Sequence, residues 1–180
     1  MEIKVGDYIL REHKVEDASD LYEILGDKER SWWYGWDEPL SDLNNAHEHI
    51  EYCMEGGSSF GSHEEIELAI EFMDKVIGVI SVSKEKDNNT AEFGYVIHKE
   101  YEGQSIMPLI VKALCKELFI NDNINKLIIS VMESNKRSWR VAEKCGFHKT
   151  KEIGFRMDGS ILNIYNLSKE DFLSNLSKVA

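Results

Sequence analysis

The chain has 180 residues, of which 42% are hydrophobic and 30% charged, and its formal net charge at pH 7 is −12. This length supports one domain with a sizeable core. The negative charge argues against a nucleic-acid-binding surface and favours attraction of cationic substrates. No apolar run reaches the length of a membrane span, and the N-terminus lacks the apolar segment of a signal peptide. We therefore expect a cytoplasmic protein with no membrane association.

The cysteines and histidines predict no metal site. Cys53, Cys115 and Cys145 are an odd number and have no CxxC spacing, so neither a disulfide framework nor a zinc site is indicated. His47 and His49 lie two residues apart and do not share a helical face. We expect the three thiols to be buried or inert.

The N-terminal part of the chain predicts the start of an α/β arrangement. Asp7 to Arg11 has the pattern of a short strand, and Val15 to Leu25 carries an apolar face at helical spacing. A further helix, which Ser41 or Asp42 can cap, is predicted to run to about Cys53.

Between these helices, Ser31 to Ser41 is the most aromatic segment of the chain and has the character of a loop. Its aromatic residues are Trp32, Trp33, Tyr34 and Trp36. Aromatic residues in a loop either cap a core or line a pocket, and both interpretations stay open here.

A β-hairpin is predicted after the turn GGSSFGS. Glu65 to Phe72 alternates acidic and apolar residues, which indicates a strand with one buried face. Met73-Asp74-Lys75 supplies a tight turn into a second strand, Val76 to Ser83, and the polar KEKDNNT forms a loop.

The segment from Ala91 to Phe119 predicts a strand, a turn and a helix. Ala91 to His98 is rich in aromatic and β-branched residues, and apolar residues recur at helical spacing from Ile106. The turn KEYEGQS contains Gly103, and the first N–H groups of the helix can bind a phosphate. An ordinary strand-to-helix connection explains the same pattern. Lys126 to Val131 predicts a strand parallel to the first, joined by a right-handed crossover.

The segment from Glu133 to Phe147 predicts a short capped helix. Asn135 or Ser134 can cap its start, and Gly146 lies where a helix end favours positive φ. By itself this is an ordinary helix, but its place in the chain is informative.

The order of these elements resembles the GNAT family of acetyl-CoA-dependent N-acetyltransferases, in particular its RimJ/RimL-type branch of ribosomal-protein N-terminal acetyltransferases. The supporting motifs are Leu10-Arg11 followed by Glu16-Asp17-Ala18, the aromatic segment, Val76-Ile77-Gly78, Glu92-Phe93-Gly94-Tyr95, Tyr101-x-Gly103, Asn135-x-x-Ser138, Ala142-Glu143-Lys144-Cys145-Gly146-Phe147, and Tyr165-x-Leu167-x-x-Glu170-Asp171-Phe172. The resemblance implies a single GNAT domain over residues 1–180. Its α/β fold (α+β by segregation) would have a mixed central sheet, with an antiparallel N-terminal hairpin and a parallel central strand pair, flanked by helices.

The resemblance also implies a cofactor site. The pantetheine arm of acetyl-CoA is expected to insert like a strand beside Tyr95, Val96 and Ile97. The pyrophosphate is expected at the turn formed by Glu102, Gly103, Gln104, Ser105, Ile106 and Met107. Asn135 matches a position that hydrogen-bonds the cofactor, and Ser138 one whose hydroxyl can protonate the leaving thiolate.

For the acceptor, the resemblance implies a primary amine, small or peptidic, with Trp33, Tyr34 and Trp36 as candidate contacts. A cationic acceptor, such as a protein N-terminus, a polyamine or an aminoglycoside, suits the acidic chain. Glu92 is the candidate that deprotonates the amine, because only a neutral amine attacks a thioester. Transfer within a ternary complex needs no protein nucleophile. A homodimer is expected from the resemblance alone, since no heptad or interface stripe appears.

The phosphate turn departs from the family pattern Gln/Arg-x-x-Gly-x-Gly/Ala at three positions. Glu102 stands where Gln or Arg is usual, Ser105 replaces the first Gly, and Met107 replaces the closing Gly or Ala. These departures favour a second hypothesis, namely an acyl-CoA-binding or protein-interaction module that has lost efficient transfer.

Overall fold

The computed structural model describes residues 2–56, 65–87 and 89–177, so all of the predicted turn GGSSFGS except its first residue, Gly56, lies outside the described residues. The described part of the chain contains eight strands and six α-helices. In chain order they are β1 Glu2–Val5, β2 Tyr8–Arg11, α1 Ala18–Leu25, α2 Lys28–Tyr34, α3 Leu43–Gly56, β3 Glu65–Phe72, β4 Lys75–Lys84, β5 Thr90–Ile97, α4 Ile106–Asn121, β6 Lys126–Met132, α5 Lys136–Lys144, β7 His148–Phe155, β8 Ile161–Ser168 and α6 Lys169–Ser177.

The chain divides into two compact units. The first comprises Met1–Ser83 and Gly94–Ile106, and the second Lys84–Phe93 and Met107–Ala180. Strand β5 therefore contributes its first four residues to the second unit and its last four to the first. None of the helices in the described ranges has both the length and the hydropathy that a bilayer crossing requires.

The first unit contains the predicted antiparallel hairpin. Strands β1 to β4 pair in sequence order, each antiparallel to the next. Met73 and Asp74 connect β3 and β4 with φ of 50° and 61°, as a two-residue hairpin turn of the favoured type requires. The pairing shifts by one residue between Ile70 and Glu71 of β3, so Ile77 of β4 is the extra residue of a β-bulge.

Strand β3 is covered on both faces, whereas its alternating pattern predicted one. Ile66, Leu68 and Ile70 are buried on the expected face. On the other face, Ala69 of β3 belongs to the same core cluster as Leu21 of α1 and Ile50 of α3. The Glu67 side chain on this face is therefore largely buried, whereas Glu65 at the start of the strand is exposed.

The second unit contains the predicted parallel strand pair. Thr90 to Phe93 of β5 pair in parallel with Lys126 to Ile129 of β6, and β8 pairs antiparallel with both β6 and β7. Helix α4 is buried along one side through Ile110, Leu114 and Leu118. The strand-helix-strand prediction and the mixed sheet are thus confirmed.

The aromatic segment is partly helical, so its assignment as a loop was wrong. Asp27 caps α2 by accepting a hydrogen bond from the Arg30 N–H, and Gly35 ends the helix with φ of 111°. Tertiary packing outweighs the modest helix propensity of two tryptophans and a tyrosine. No strand was predicted from the sequence for Glu2–Val5, which form β1.

The other helix caps follow the predictions. The Asn45 N–H donates to Asp42 Oδ1 (2.9 Å), so Asp42 caps α3. Asn135 caps α5, and Gly146 follows that helix with φ of 90°.

Candidate active site

The first unit contains a cavity of about 400 Å³ between α2, α3, β3 and β4. Its lining residues are Tyr34, Gly35, Trp36, His49, Tyr52, Cys53, Glu65, Glu67 and Ser81. Tyr34 and Trp36 are two of the three aromatic residues predicted to contact the acceptor. The third, Trp33, is not among the lining residues: its indole N–H donates to Glu29 (3.2 Å) and its ring packs on Trp32.

Glu67 forms the polar floor of this cavity. The Nε2 atoms of His13 and His49 lie 3.0 and 2.9 Å from its Oε1, and the Tyr34 hydroxyl donates to its Oε2 (2.5 Å). Its side chain is only 8% exposed. Burial alone would raise the pKa of Glu67, but the hydrogen bonds from the two histidines outweigh burial and lower that pKa well below its usual range. The side chain is therefore a buried carboxylate.

The cavity has the chemistry of a cation-binding pocket. Its described lining includes two carboxylates, Glu65 and Glu67, and neither Lys nor Arg. Trp36 packs edge-on against His49, with ring centroids 4.9 Å apart. Aromatic rings beside buried negative charge favour an ammonium group.

Sequence reasoning missed Glu67 because it lies on the face of β3 that was expected to meet solvent. The sequence nevertheless contained a usable signal. Helices are predicted both before and after this strand, and they must pack against a face of its sheet. Acidic residues at alternate positions of a doubly covered strand are candidates for a site.

The turn before α4 has the backbone conformation of a glycine-rich loop. Gly103 has φ of 75° and Ser105 has φ of 61°. A Cβ atom added to Gly103 would meet no atom within 4 Å, so the need for glycine there is conformational. Ser105 also adopts a left-handed conformation, which glycine favours. The Gly-to-Ser departure is therefore compatible with a positive φ at this position.

The charge of Glu102 is compensated within the first unit. Its carboxylate forms an ion pair with Nη1 of Arg30, and the two side chains are 20% and 9% exposed. Arg30 also lies 3.2 Å from Glu29 through Nη2. An arginine from α2 therefore balances the acidic residue that stands where the family pattern has Gln or Arg. The Glu102 carboxylate is thus paired within the protein, and pyrophosphate binding at this turn stays a prediction.

The remaining cofactor predictions in this region fall into three groups. Tyr95, Val96 and Ile97 lie on β5 beyond Phe93, its last residue paired with β6. Ile106 and Met107 are buried, so their side chains belong to the core and only their backbone can serve a ligand. Gln104 is exposed, and its side chain donates to the Glu100 carbonyl (2.9 Å).

The predicted residues of the second unit lie on α5 and β5. Asn135 and Ser138 are brought together, because Asn135 Oδ1 accepts a hydrogen bond from the Ser138 N–H (3.1 Å). This capping bond uses the Asn135 carbonyl oxygen, and contact of Asn135 with the cofactor stays a prediction. Glu92 is half-buried and lies opposite Ile128 of β6, and its role stays a prediction.

Two of the three cysteines fit the expectation of buried thiols. Burial raises the pKa of Cys115 well above its usual value, and raises that of Cys145 to about 12. Cys53 is only partly buried and lines the cavity, 3.3 Å from His49 Nε2, but burial and the neighbouring Glu67 raise the pKa of its thiol well above its usual value, as expected for an inert thiol.

A family model described as acetyltransferase (GNAT) domain matches residues 7–148. This chain belongs to the GNAT family. The match covers more than half of the chain and includes the cavity, the turn before α4 and the Asn135–Ser138 pair. The protein is accordingly a GNAT acetyltransferase, and acetyl-CoA is the cosubstrate of this family.

Individual relatives agree with the RimJ/RimL-like branch. The chain is 27% identical over 164 residues to YdaF of Bacillus subtilis (strain 168), whose name provisionally assigns it as a ribosomal N-acetyltransferase; the match covers 89% of this chain and 87% of YdaF. It is 33% identical over 75 residues to the ribosomal-protein-serine acetyltransferase of Escherichia coli (strain K12), covering 41% and 42% of the two chains. A solved structure of RimL, a ribosomal L7/L12 α-N-protein acetyltransferase in complex with coenzyme A, has a TM-score of 0.81 at 19% identity, covering 93% of this chain and 98% of RimL.

Proposed function

We propose that this protein transfers the acetyl group of acetyl-CoA to a primary amine that enters the cavity as an ammonium group above Glu67. The observation that carries the proposal is the buried Glu67 carboxylate in a cavity that Tyr34 and Trp36 also line. The residues within hydrogen-bonding distance of that carboxylate, among those the structure describes, include no lysine or arginine. A bound ammonium group would donate a charge-assisted hydrogen bond to that carboxylate.

A protein or peptide N-terminus is the acceptor class that we favour. Two sequence relatives are named for ribosomal-protein acetylation, and the cavity is large enough for the first residue of a peptide. Polyamines and aminoglycosides carry several charges, which one compact pocket with two lining carboxylates would match less completely.

For acetyl-CoA, we propose the sites that the family resemblance implies. The turn from Glu102 to Met107 would bind the pyrophosphate through backbone N–H groups, and the end of β5 from Tyr95 to Ile97 would bind the pantetheine arm. The amide of Asn135 would hydrogen-bond the cofactor. Acetyl-CoA supplies the activated acyl group, and the protein positions the amine and removes it from water.

Two proton transfers complete the proposed reaction. The ammonium group must lose a proton before attack, and Glu92, directly or through water, is our candidate acceptor. The Ser138 hydroxyl would then protonate the departing thiolate. Direct transfer in a ternary complex requires no acyl-enzyme, which agrees with the buried positions of Cys115 and Cys145.

The test is thiol release from acetyl-CoA in the presence of a peptide with a free N-terminus, with the N-acetylated peptide as control. We expect release with the first peptide only. Glu67→Gln should raise KM for the peptide about 10- to 100-fold, the worth of a hydrogen bond to a charged group. Glu92→Gln and Ser138→Ala should instead lower kcat about 100-fold with little change in acetyl-CoA affinity. Equal activity on both peptides would refute the amine assignment.

The second hypothesis, a GNAT module without efficient transfer, loses support from the structure of the turn. Its basis was Glu102, Ser105 and Met107, but Glu102 is paired with Arg30 and Ser105 takes the glycine conformation. Calorimetric titration with acetyl-CoA separates the two hypotheses. Binding without thiol release on a broad amine panel would favour the module.

A further inference from the structure

Four side chains from three segments of the first unit converge at the floor of the cavity. The ligand atoms of His13, Cys53 and Glu67 all lie within 4.8 Å of one another. His49 adds a second ring nitrogen, 2.9 Å from Glu67 Oε1 and 3.3 Å from Cys53 Sγ. Imidazole nitrogen, thiolate sulfur and carboxylate oxygen are the ligands that zinc prefers in proteins.

The distances suit one tetrahedral ion. Zinc bonds of about 2.0–2.3 Å place neighbouring ligand atoms about 3.3–3.6 Å apart. Here the contacts of Glu67 Oε1 with His13 Nε2 and Cys53 Sγ are 3.0 and 3.7 Å, so these three ligands are close to tetrahedral spacing about Glu67, and His49 would complete the set by rotation of its ring. Magnesium and calcium require six or more oxygen ligands, which a single carboxylate among nitrogen and sulfur atoms does not approach.

The surroundings hold the ligands in place. The Tyr34 hydroxyl binds Oε2 of Glu67, which leaves Oε1 directed at the nitrogen and sulfur atoms. His49 and Cys53 are four residues apart on α3 and therefore share one helical face. His13 is buried, whereas His49 and Cys53 line the cavity through which an ion can enter.

We propose that this protein binds one Zn²⁺ through His13 Nε2, Cys53 Sγ and Glu67 Oε1, with His49 as the fourth ligand. Binding forms a zinc–sulfur bond and releases the thiol proton to solvent. The sequence argued against a metal because it compared His49 with His47; folding instead pairs His49 with Cys53. If the cavity is also the acceptor site, a consequence that rests on the proposed function, zinc and the amine exclude each other.

The test uses Co²⁺ as a spectroscopic substitute for zinc in the purified full-length protein after treatment with a chelator. We expect saturation at one Co²⁺ per chain, with thiolate-to-cobalt charge-transfer absorption in the near ultraviolet and intense visible bands of tetrahedral cobalt. Added Zn²⁺ should abolish both sets of bands. Absence of saturable bands would overturn the proposal and leave the four side chains as a hydrogen-bonded cluster only.

Matched variants locate the ion. Cys53→Ser should remove the charge-transfer band and weaken Zn²⁺ binding at least about 100-fold in calorimetry, and His13→Asn should weaken it about as much. His47→Asn, exposed on α3, and Cys145→Ser, buried in the second unit, should bind zinc within twofold of the unmodified protein. Unchanged bands in Cys53→Ser would place the metal elsewhere and refute the site.

The metal site and the proposed function can fail separately. Cobalt binding is measured without acetyl-CoA or amine, so its outcome does not depend on catalysis. A zinc-loaded protein that acetylates a peptide as fast as the chelated protein would show that the ion and the acceptor occupy different places.

Discussion

The left-handed conformation of Ser105 makes a quantitative prediction for Ser105→Gly. A non-glycine residue with φ near 60° carries about 1–2 kcal/mol of steric cost, which glycine does not. Glycine in turn loses about 0.5–1 kcal/mol through the greater entropy of its unfolded chain. Ser105 is exposed, so no packing is lost. The net expectation is a gain of about 0.5–1 kcal/mol in the free energy of unfolding, and a rise of about 1–3 °C in Tm.

Urea unfolding followed by tryptophan fluorescence measures this gain. Ser174→Gly is a matched control, because Ser174 is also exposed but lies within α6; it should lose about 0.5 kcal/mol. Ser105→Ala keeps the Cβ atom and should give no gain. The affinity for acetyl-CoA should change less than about threefold, since the turn keeps its shape. A loss of stability in Ser105→Gly comparable to that of the control would refute the reasoning.

Three further predictions concern single contacts. Glu102→Gln should lower the free energy of unfolding by about 2–3 kcal/mol because it removes the closer of the two carboxylates that pair with the largely buried Arg30, and in calorimetry it should not tighten acetyl-CoA binding. Burial alone would raise the pKa of Asp17, but hydrogen bonds from the Arg11 side chain and a backbone N–H lower that pKa below 3.8. The ionised Asp17 should therefore stabilise the fold fully at neutral pH, and this stabilisation should be lost as the pH falls through and below that value. Asp17→Asn should flatten the acidic part of a plot of the urea midpoint against pH. Gly78→Ala should lower Tm by more than Gly154→Ala, since the added Cβ would lie 2.6 Å from a backbone carbonyl oxygen in the first case and 3.4 Å from a side-chain atom in the second.

Local patterns were sufficient to predict most of the fold. The strand β3, the turn at Met73-Asp74 and the caps Asp42 and Asn135 depend on residues close in sequence, and the structure confirms each. The helix α2 was missed, although Asp27 and Gly35 are typical cap residues at its two ends.

The site could be predicted only in part, because its decisive contacts join distant residues. Arg30 and Glu102 are 72 positions apart, and no pattern in the sequence pairs them. His13 and Glu67 are 54 positions apart. Acidic residues at alternate positions of a strand are as typical of a solvent-facing side as of a binding site. Glu67 therefore became a candidate only once the structure showed α1 and α3 covering that side.

The bulge in β4 decides the polarity of the cavity wall. A two-residue turn with regular pairing would put Ile80 opposite Glu67, but the extra residue, Ile77, puts Ser81 there. Opposite residues on paired strands point to the same side of a sheet, so one inserted residue exchanges an apolar wall for a hydroxyl. Among relatives, a gain or loss of one residue in this hairpin is therefore a change of binding-site chemistry. Alignments should be anchored on the Glu67–Ser81 pair rather than on the length of the turn.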